Sequence, residues 1–271
     1  MSGAPANGPG LTAVVLAAGK GTRMGGDLPK VLHEAAGRPL LAWVLDAARA
    51  AGCARLVVVV GYQAERVRAA IPASDDLAWV LQERQLGTGH AVAQAEAALG
   101  GERARGDLLL VLSGDVPMVT PETLRALAAA AGEGWGAMAV AELEEPGSLG
   151  RVMPRRDAPP GTDLLDRIVE AADATEDELA LRTVNAGLYA LPAAGIFPYL
   201  AALDTDNAQG ELYLTDALVA AAHDGREIRL VTLQDPAEAT GVNTPEELER
   251  VRELLAGGEC PGGWRGALPS E

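Results

Sequence analysis

Two lysines and two glycines stand within one short stretch near the start of the chain, Leu16-Ala17-Ala18-Gly19-Lys20-Gly21-Thr22-Arg23-Met24 followed by Leu28-Pro29-Lys30. Of the 22 basic residues, only Lys20 and Lys30 are lysines. A compact ammonium and a planar guanidinium are not equivalent where a point charge must approach a phosphate. Gly19 and Gly21 allow a sharp turn with close backbone approach. Their N–H groups can form an anion-binding nest. The stretch therefore reads as a phosphate-binding loop. The plainer reading is a Gly-rich strand-to-helix turn with solvated charges. Asp115, in Leu112-Ser113-Gly114-Asp115-Val116-Pro117, ends the most apolar segment of the chain. A carboxylate packs poorly there but suits a hard cation. Mg²⁺ takes one or two carboxylates and completes its shell with water and phosphate. The plainer role for Asp115 is a turn cap before Pro117.

A second loop, Gln82-Glu83-Arg84-Gln85-Leu86-Gly87-Thr88-Gly89-His90, opens a helix. The amide of Gln82 offers a donor and an acceptor side by side, which matches the imide edge of a uracil. Gly87 would let the backbone pair with the base at close range. His90, near the helix start, reads as structural. Farther along, Asn185 and Gly187 interrupt a strand where neither is favoured, which suggests polar contact with a ligand. Glu170 ends an apolar strand and could accept from sugar hydroxyls. No Ser/His/Asp or Cys/His set suggests a covalent nucleophile.

The elements that must position these residues alternate. Strands are expected at Thr12–Leu16, Leu56–Val60, Trp79–Leu81 and Leu108–Leu112. Helices are expected at Leu40–Ala51, Ala64–Ala70, Gly89–Leu99 and after Thr120, with Thr120 as N-cap and Pro121 at the first helical position. Short apolar runs alternating with helices imply a parallel sheet covered on both faces, a three-layer α/β architecture. Ligands of such a sheet sit beyond the carboxyl ends of its strands, at a topological switch point. After about Gly134 strands dominate: Ala137–Leu143, Leu149–Met153, Arg167–Glu170 and Thr183–Leu191, with an exposed turn at Arg155–Gly161. Helices return at Glu211–Ala222 and Thr244–Ala256, the latter opening on a capping box of Thr244 and Glu247. The expected organisation is a flexible start over 1–10 and one catalytic domain over 11–256. That domain divides into a nucleotide half over about 11–134 and a smaller sugar-binding β subdomain over about 135–256. A disordered Gly- and Pro-rich tail is expected over 257–271.

Composition bounds the partners. With 48% hydrophobic residues in 271, the chain can bury a sizeable core, and 3% aromatics with one Phe make that core aliphatic. A formal net charge of -16 argues against nucleic acid and anionic membranes. An anionic substrate then needs a local basic pocket or a divalent cation. Cys53 and Cys260 imply neither a disulfide framework nor a zinc cluster. No run of 18 apolar residues suggests a membrane span, and Met1–Gly10 lacks the basic n-region of a secretory signal. A cytoplasmic location is expected. No particular oligomeric state is implied.

The motif Leu-Ala-Ala-Gly-Lys-Gly-Thr-Arg-Met with Leu-Pro-Lys resembles the signature of the sugar-phosphate nucleotidyltransferases. From about Leu11 to Leu255 the chain is most similar to the N-acetylglucosamine-1-phosphate uridylyltransferase half of the bacterial bifunctional uridylyltransferase/acetyltransferases. Gln85-Leu86-Gly87-Thr88-Gly89-His90-Ala91 and Asp206-Asn207-Ala208-Gln209-Gly210-Glu211 with Tyr213-Leu214-Thr215-Asp216 carry that likeness more specifically than the first motif. The resemblance implies a Rossmann-like, mostly parallel mixed sheet and Mg²⁺-dependent transfer of UMP from UTP to a sugar 1-phosphate, N-acetylglucosamine 1-phosphate first among them. It implies that Leu16, Ala17, Ala18 and Gly19, with Thr88, line the nucleotide, and that Gln82 and Gly87 read the uracil. Arg23 and Lys30 would hold phosphates and Asp115 and Asn243 the Mg²⁺. Gly150, Glu170, Asn185 and Thr215 would contact the amino sugar. Three segments depart from the family. Ser148-Leu149-Gly150-Arg151 stands where Gly-Tyr-Gly-Arg is usual, Ala172 where a Lys is usual, and Leu212 where a Tyr is frequent. Those on the sugar side leave another hexose 1-phosphate, or another base, as an alternative, and a catalytically silent nucleotide-sugar-binding protein as a further one. The sequence shows no hexapeptide repeat, so no acetyltransferase half is expected in it.

Overall fold

The computed structural model describes residues 10–100, 107–257 and 263. The flexible start and the tail expected from the sequence lie outside these residues, apart from Gly10, Gly257 and Gly263. The first half runs β1 (Leu11–Ala17), a small hairpin of β2 (Glu34–Ala35) and β3 (Arg38–Pro39), α1 (Leu40–Ala51), β4 (Arg55–Val60), α2 (Ala64–Ala70), β5 (Leu77–Leu81), α3 (Thr88–Gln94), α4 (Glu96–Leu99), β6 (Leu108–Ser113) and α5 (Pro121–Gly132). The second half adds β7 (Gly136–Glu142), β8 (Arg151–Pro154), β9 (Leu165–Val169), α6 (Glu176–Leu179), β10 (Thr183–Pro192), α7 (Phe197–Ala201), α8 (Leu214–His223), β11 (Ile228–Thr232) and α9 (Pro245–Ala256).

The strands form one nine-stranded sheet, ordered β11-β7-β10-β6-β1-β4-β5, with β8 and β9 attached beside β10. β1 pairs in parallel with β4 and β6, whereas β10 runs antiparallel to both β6 and β7. The chain lays β4 and β5 on one side of β1, then crosses to place β6 on the other. The carboxyl ends of β1 and β6 therefore flank the switch point at which ligands of open α/β sheets bind.

Strand alternation sorts the core into two layers. Ala13 and Val15 of β1 and Leu110 and Leu112 of β6 pack with Leu41, Val44, Leu124 and Leu127 of α1 and α5. Val14, Leu109 and Val111 face Val92 of α3 and Leu214 and Leu218 of α8. Val57 through Val60 are fully buried, as a central strand covered on both faces requires. A third cluster is tertiary in origin. Leu248, Val251 and Leu255 of α9 pack on Met24, Leu40, Trp43 and Met118. The last helix is thus carried back onto the first half of the chain.

Several boundaries differ from the sequence expectation for identifiable reasons. The helix expected at Gly89–Leu99 is two helices, because the Ala95 N–H donates to Val92 O at i−3 and tightens the turn. The helix expected from Glu211 begins at Leu214, since Leu212 is committed elsewhere. Its N–H donates to Leu86 O at 2.7 Å and its carbonyl accepts from Gly89 N at 2.8 Å. The strand expected from Leu149 starts at Arg151, because Leu149 closes a turn onto Pro146 O. β9 lies at Leu165–Val169 rather than Arg167–Glu170. β11, α6 and α7 fall outside the elements expected from the sequence. The Thr120 cap and the Thr244/Glu247 capping box form as expected.

The segment leading to α9 is anchored by a buried carboxylate. Glu238 is 3% exposed. It accepts from Thr120 N at 2.9 Å, Thr120 Oγ1 at 2.8 Å and Thr123 Oγ1 at 2.9 Å, at the N-terminus of α5. The helix dipole favours an anion there. Glu238→Ala leaves a buried N–H and two hydroxyls unpaired. It is expected to lower unfolding stability by about 3 kcal/mol, with Glu238→Gln milder. Urea denaturation checks this: the midpoint should fall with the slope unchanged.

Candidate active site

Two cavities meet at the carboxyl edge of the sheet. The smaller, about 260 Å³, is lined by Leu16, Ala17, Ala18, Gly19, Lys30, Gln82, Gly87, Thr88 and Asp115 among others. The larger, about 640 Å³, takes in Gly150, Glu170, Asn185, Thr215, Asp115 and Asn243. Thr88, Ser113 and Asp115 line both. The residues expected on the nucleotide and on the sugar are thus brought to adjoining chambers with a common wall.

That wall is built by packing. Gly114 N donates to Leu16 O at 2.9 Å, and a Cβ on Gly114 would lie 3.0 Å from the same oxygen. The turn after β6 therefore tucks against the end of β1 and presents Asp115 beside Lys30. The Lys30 ammonium forms an ion pair with Asp115 Oδ2 and donates to Asn243 Oδ1 at 2.8 Å. The backbone holds Asp115 and Asn243 in register independently of Lys30, since Val242 N donates to Asp115 O at 2.9 Å. Glu247 adds a bond from Asn243 N at 2.6 Å. Asp115 and Asn243 present two hard oxygens to one positive point charge, a donor set that suits Mg²⁺. No group of three or more His, Cys, Asp or Glu among the described residues could hold a metal ion. A cation here would rely on these two oxygens, water and substrate phosphate.

The loop read as phosphate-binding is ordered differently from the expectation. Gly21 is left-handed, at φ 66°, and a Cβ there would lie 2.6 Å from Lys30 Cβ. Gly21 is required both by its dihedral and by the lysine stem. Gly19 has no such requirement, and nothing lies within 4 Å of where its Cβ would be. Arg23, on the 3-10 turn Thr22–Met24, is exposed and lines neither cavity. Lys20 lies 5.4 Å from the centre of the Tyr62 ring. The structure brings only Lys30 of these cations onto the site wall.

In the second loop the amide of Gln82 is already half committed. Its Nε2 donates to Gly87 O at 3.1 Å and lies 2.9 Å from His90 Nδ1. An amide nitrogen can only donate, so Nδ1 is the acceptor and His90 carries its proton on Nε2. Gln94 then has to turn its oxygen toward His90 Nε2. Only Gln82 Oε1 remains to meet a base, as an acceptor. Gly87 also serves a purpose other than the one expected. At φ 110°, the Cβ it lacks would lie 2.6 Å from Leu212 O and 2.8 Å from Leu212 N. The glycine lets the loop dock on backbone, and Thr88 Oγ1 accepts from Leu214 N at 3.0 Å to hold the start of α8. The two specific motifs are stitched into one unit.

On the sugar side, Glu170 Oε1 accepts from Thr215 Oγ1 at 2.9 Å. A Cβ on Gly150 would lie 3.2 Å from the Glu170 carboxylate. Asn185 N donates to Gly150 O at 2.9 Å. Asn185 sits at the β10 bulge, accepting from Gly187 N at 3.0 Å and donating to Tyr189 Oη at 2.7 Å. Asn185 and Gly187 therefore shape the strand as well as facing the cavity. Buried Arg151 ties down the loop before it by donating to the carbonyls of Leu149, Gly147 and Leu179. Among the described residues, Arg250 is the only basic one lining the larger cavity, and the sequence did not single it out. Its available signal was spacing, since Glu247 and Arg250 stand three apart on α9, just after Asn243.

Burial raises the Glu170 pKa above the ordinary carboxylate range. The Thr215 hydroxyl works against that shift, and the Asp216 and Asp173 carboxylates add to it. A raised folded pKa gives stability that is complete below the unfolded value and is lost as pH rises through the folded one. Glu170→Gln is therefore expected to raise Tm at neutral pH and to leave it unchanged in acid. Melting curves of both proteins from about pH 3 to pH 8 check the sign. Burial pushes the Cys53 thiol up to about 12, so the one described cysteine offers no thiolate.

At the switch point of the parallel sheet, a Gly-containing loop, a carboxylate and two adjoining cavities come together. The chain belongs to the MobA-like NTP transferase domain family, whose model matches residues 13–219. Among curated proteins it is similar to the bifunctional protein GlmU of Geobacter metallireducens, 46% identical over 240 residues that make up 88% of this chain and 49% of that one. The GlmU of Cupriavidus taiwanensis is 46% identical over 252 residues, 92% of this chain and 53% of that one. The chain spans about half the length of these relatives. Its fold is that of a UDP-glucose pyrophosphorylase solved with UDP-glucose, at a TM-score of 0.74 and 19% identity over 92% of this chain and 99% of that one. A UDP-glucose pyrophosphorylase from Acinetobacter baumanii superposes with a TM-score of 0.69 at 20% identity, over 93% of this chain and 95% of that one.

Proposed function

We propose that the protein transfers UMP from UTP to a sugar 1-phosphate, N-acetylglucosamine 1-phosphate by preference, giving UDP-sugar and pyrophosphate. The observation that supports this reading is the junction of the two chambers. Lys30, Asp115 and Asn243 converge there, between the residues assigned to the base and those assigned to the sugar. The GlmU likeness supports the choice of uridine and amino sugar.

In this reading a phosphate oxygen of the sugar 1-phosphate attacks the α-phosphorus of UTP in line, and the bond to the β-phosphate breaks as pyrophosphate departs. A phosphate monoester is ionised at neutral pH, with its second pKa at about 6, so no general base is needed. Catalysis rests on positioning and charge neutralisation. Leu16 to Gly19 flank the nucleotide, and Lys30 lies against its phosphates. Arg23 is exposed outside the cavity and would have to turn inward to meet the β- and γ-phosphates. Gln82 Oε1 takes the imide N–H. Glu170, Asn185, Thr215 and the backbone at Gly150 orient the sugar so that its phosphate faces the shared wall. Asp115 and Asn243 would hold Mg²⁺, which supplies charge neutralisation to the phosphates.

A second reading is the same transfer to a different hexose 1-phosphate. Leu149 and Ala172 favour it, because they replace the family's usual residues on the sugar side. Pyrophosphate release, measured for four nucleoside triphosphates against several sugar 1-phosphates, separates the two. UTP with N-acetylglucosamine 1-phosphate should be the best pair. No release with any pair would reject nucleotidyl transfer itself.

A further inference from the structure

We infer that Lys30 is the resident counter-cation of Asp115 and Asn243, and that a divalent cation arriving at those oxygens displaces it toward the nucleotide phosphates. The inference rests on the proposed cation site and assigns the lysine two successive positions. Its ammonium pairs with Asp115 Oδ2 and donates to Asn243 Oδ1, the same two oxygens the cation would use. The pair is not a solvated surface contact, since the side chains of Lys30 and Asp115 are 16% and 14% exposed. Two positive charges cannot share these two oxygens without strong repulsion. The stem of Lys30 is pressed against the left-handed Gly21, and the residue lines only the nucleotide chamber. A displaced ammonium therefore swings into the chamber where the phosphates lie.

This arrangement couples the two ligands. Without nucleotide, the lysine competes with the cation and lowers its apparent affinity by the fraction of molecules in which the oxygens are free. With nucleotide bound, the phosphates receive the displaced ammonium, so each ligand strengthens the other by the same factor. Lysine suits this exchange because a compact ammonium on a flexible stem imitates a point cation, whereas a planar guanidinium does not.

The test measures metal occupancy without turnover. Free Mn²⁺ is counted by electron paramagnetic resonance in nucleotide-free wild type and in Lys30→Met, which keeps the stem volume and removes the charge. Lys30→Met should bind Mn²⁺ more tightly, on the order of tenfold, although it loses catalytic activity. Equal or weaker binding by a Lys30→Met protein of unchanged melting temperature overturns the inference. A second measurement uses the wild type alone. Acetylation of Lys30, read by mass spectrometry against Lys20 as internal reference, should speed up severalfold when Mg²⁺ is added. An unchanged ratio also overturns the inference. Asp115→Asn should abolish tight Mn²⁺ binding in both backgrounds. If it does not, the cation site itself is wrongly placed, a failure distinct from that of the lysine exchange.

Discussion

Asp115→Asn is expected to lower turnover by on the order of a hundred- to a thousandfold while the protein still folds. Among the described residues the carboxylate is the only full negative charge paired with Lys30, and in the proposed reaction it is the anionic protein ligand of the cation. An amide keeps the shape but loses the charge, leaving the lysine ammonium part-buried with a neutral partner. The fold should survive because the backbone contacts do not involve the side chain. The Asp115 carbonyl still accepts from Val242 N, and Gly114 N still donates to Leu16 O. Asn243→Ala removes a neutral oxygen, so its loss should be smaller and partly rescued by excess Mg²⁺. The check is kcat for pyrophosphate release across a Mg²⁺ titration, together with a melting curve. Near-wild-type turnover of Asp115→Asn at limiting Mg²⁺ would remove the cation site from the proposal.

Base choice should be the second large effect. UTP is expected to exceed CTP by on the order of a hundredfold in kcat/KM, because a site that leaves a buried group unpaired discriminates strongly. The structure sharpens the reason. Gln82 is 2% exposed, and its Nε2 is taken up by Gly87 O and His90 Nδ1. It therefore presents an acceptor. Uracil offers an N–H at the imide position, whereas cytosine offers an unprotonated nitrogen whose lone pair would face Gln82 Oε1. Gln82→Ala should erode the UTP/CTP ratio and leave the KM for sugar phosphate little changed. Glu170→Ala should do the reverse. A preference for CTP, or a ratio indifferent to Gln82→Ala, would favour cytidylyl transfer. His90 enters as the residue that sets which way the amide points, so His90→Ala should weaken the base preference while Gln82 itself is intact.

Periodicity alone made most of the α/β framework legible. Apolar runs such as Leu56–Val60 and Leu108–Leu112 must be covered on both faces, and the intervening helices carry caps that can be read directly, as at Thr120 and Thr244. The phosphate loop, Asp115 and the two specific motifs also stood out, because Gly, Asp, Asn and Gln at strand ends contribute little to packing. Where each boundary fell was less legible. α8 starts at Leu214 because Leu212 bonds to Leu86 and Gly89, residues more than a hundred positions away in sequence. No local pattern records such a bond. The same holds for Gly87, whose freedom reads as closeness to a base but whose missing Cβ accommodates a backbone.

What the sequence by itself determined, then, is which residue types are available: a Gly-containing loop with two lysines in or beside it, an aliphatic sheet to hold it, and carboxylate and amide groups at strand ends. What only the tertiary structure decided is which of them meet. Lys30, Asp115 and Asn243 come from three distant segments. Their meeting depends on Gly114 fitting under β1, on Glu238 holding the α9 approach to α5, and on α9 packing against Met24 and Trp43. Equally, only the fold separated Lys30 from Arg23, which look alike as cations in one loop. The turn at Gly21 presses the lysine stem inward and leaves the arginine in solvent. Contacts of this kind are set by long-range packing and by the hydrogen bonds that buried backbone must complete, and a linear sequence carries those only implicitly.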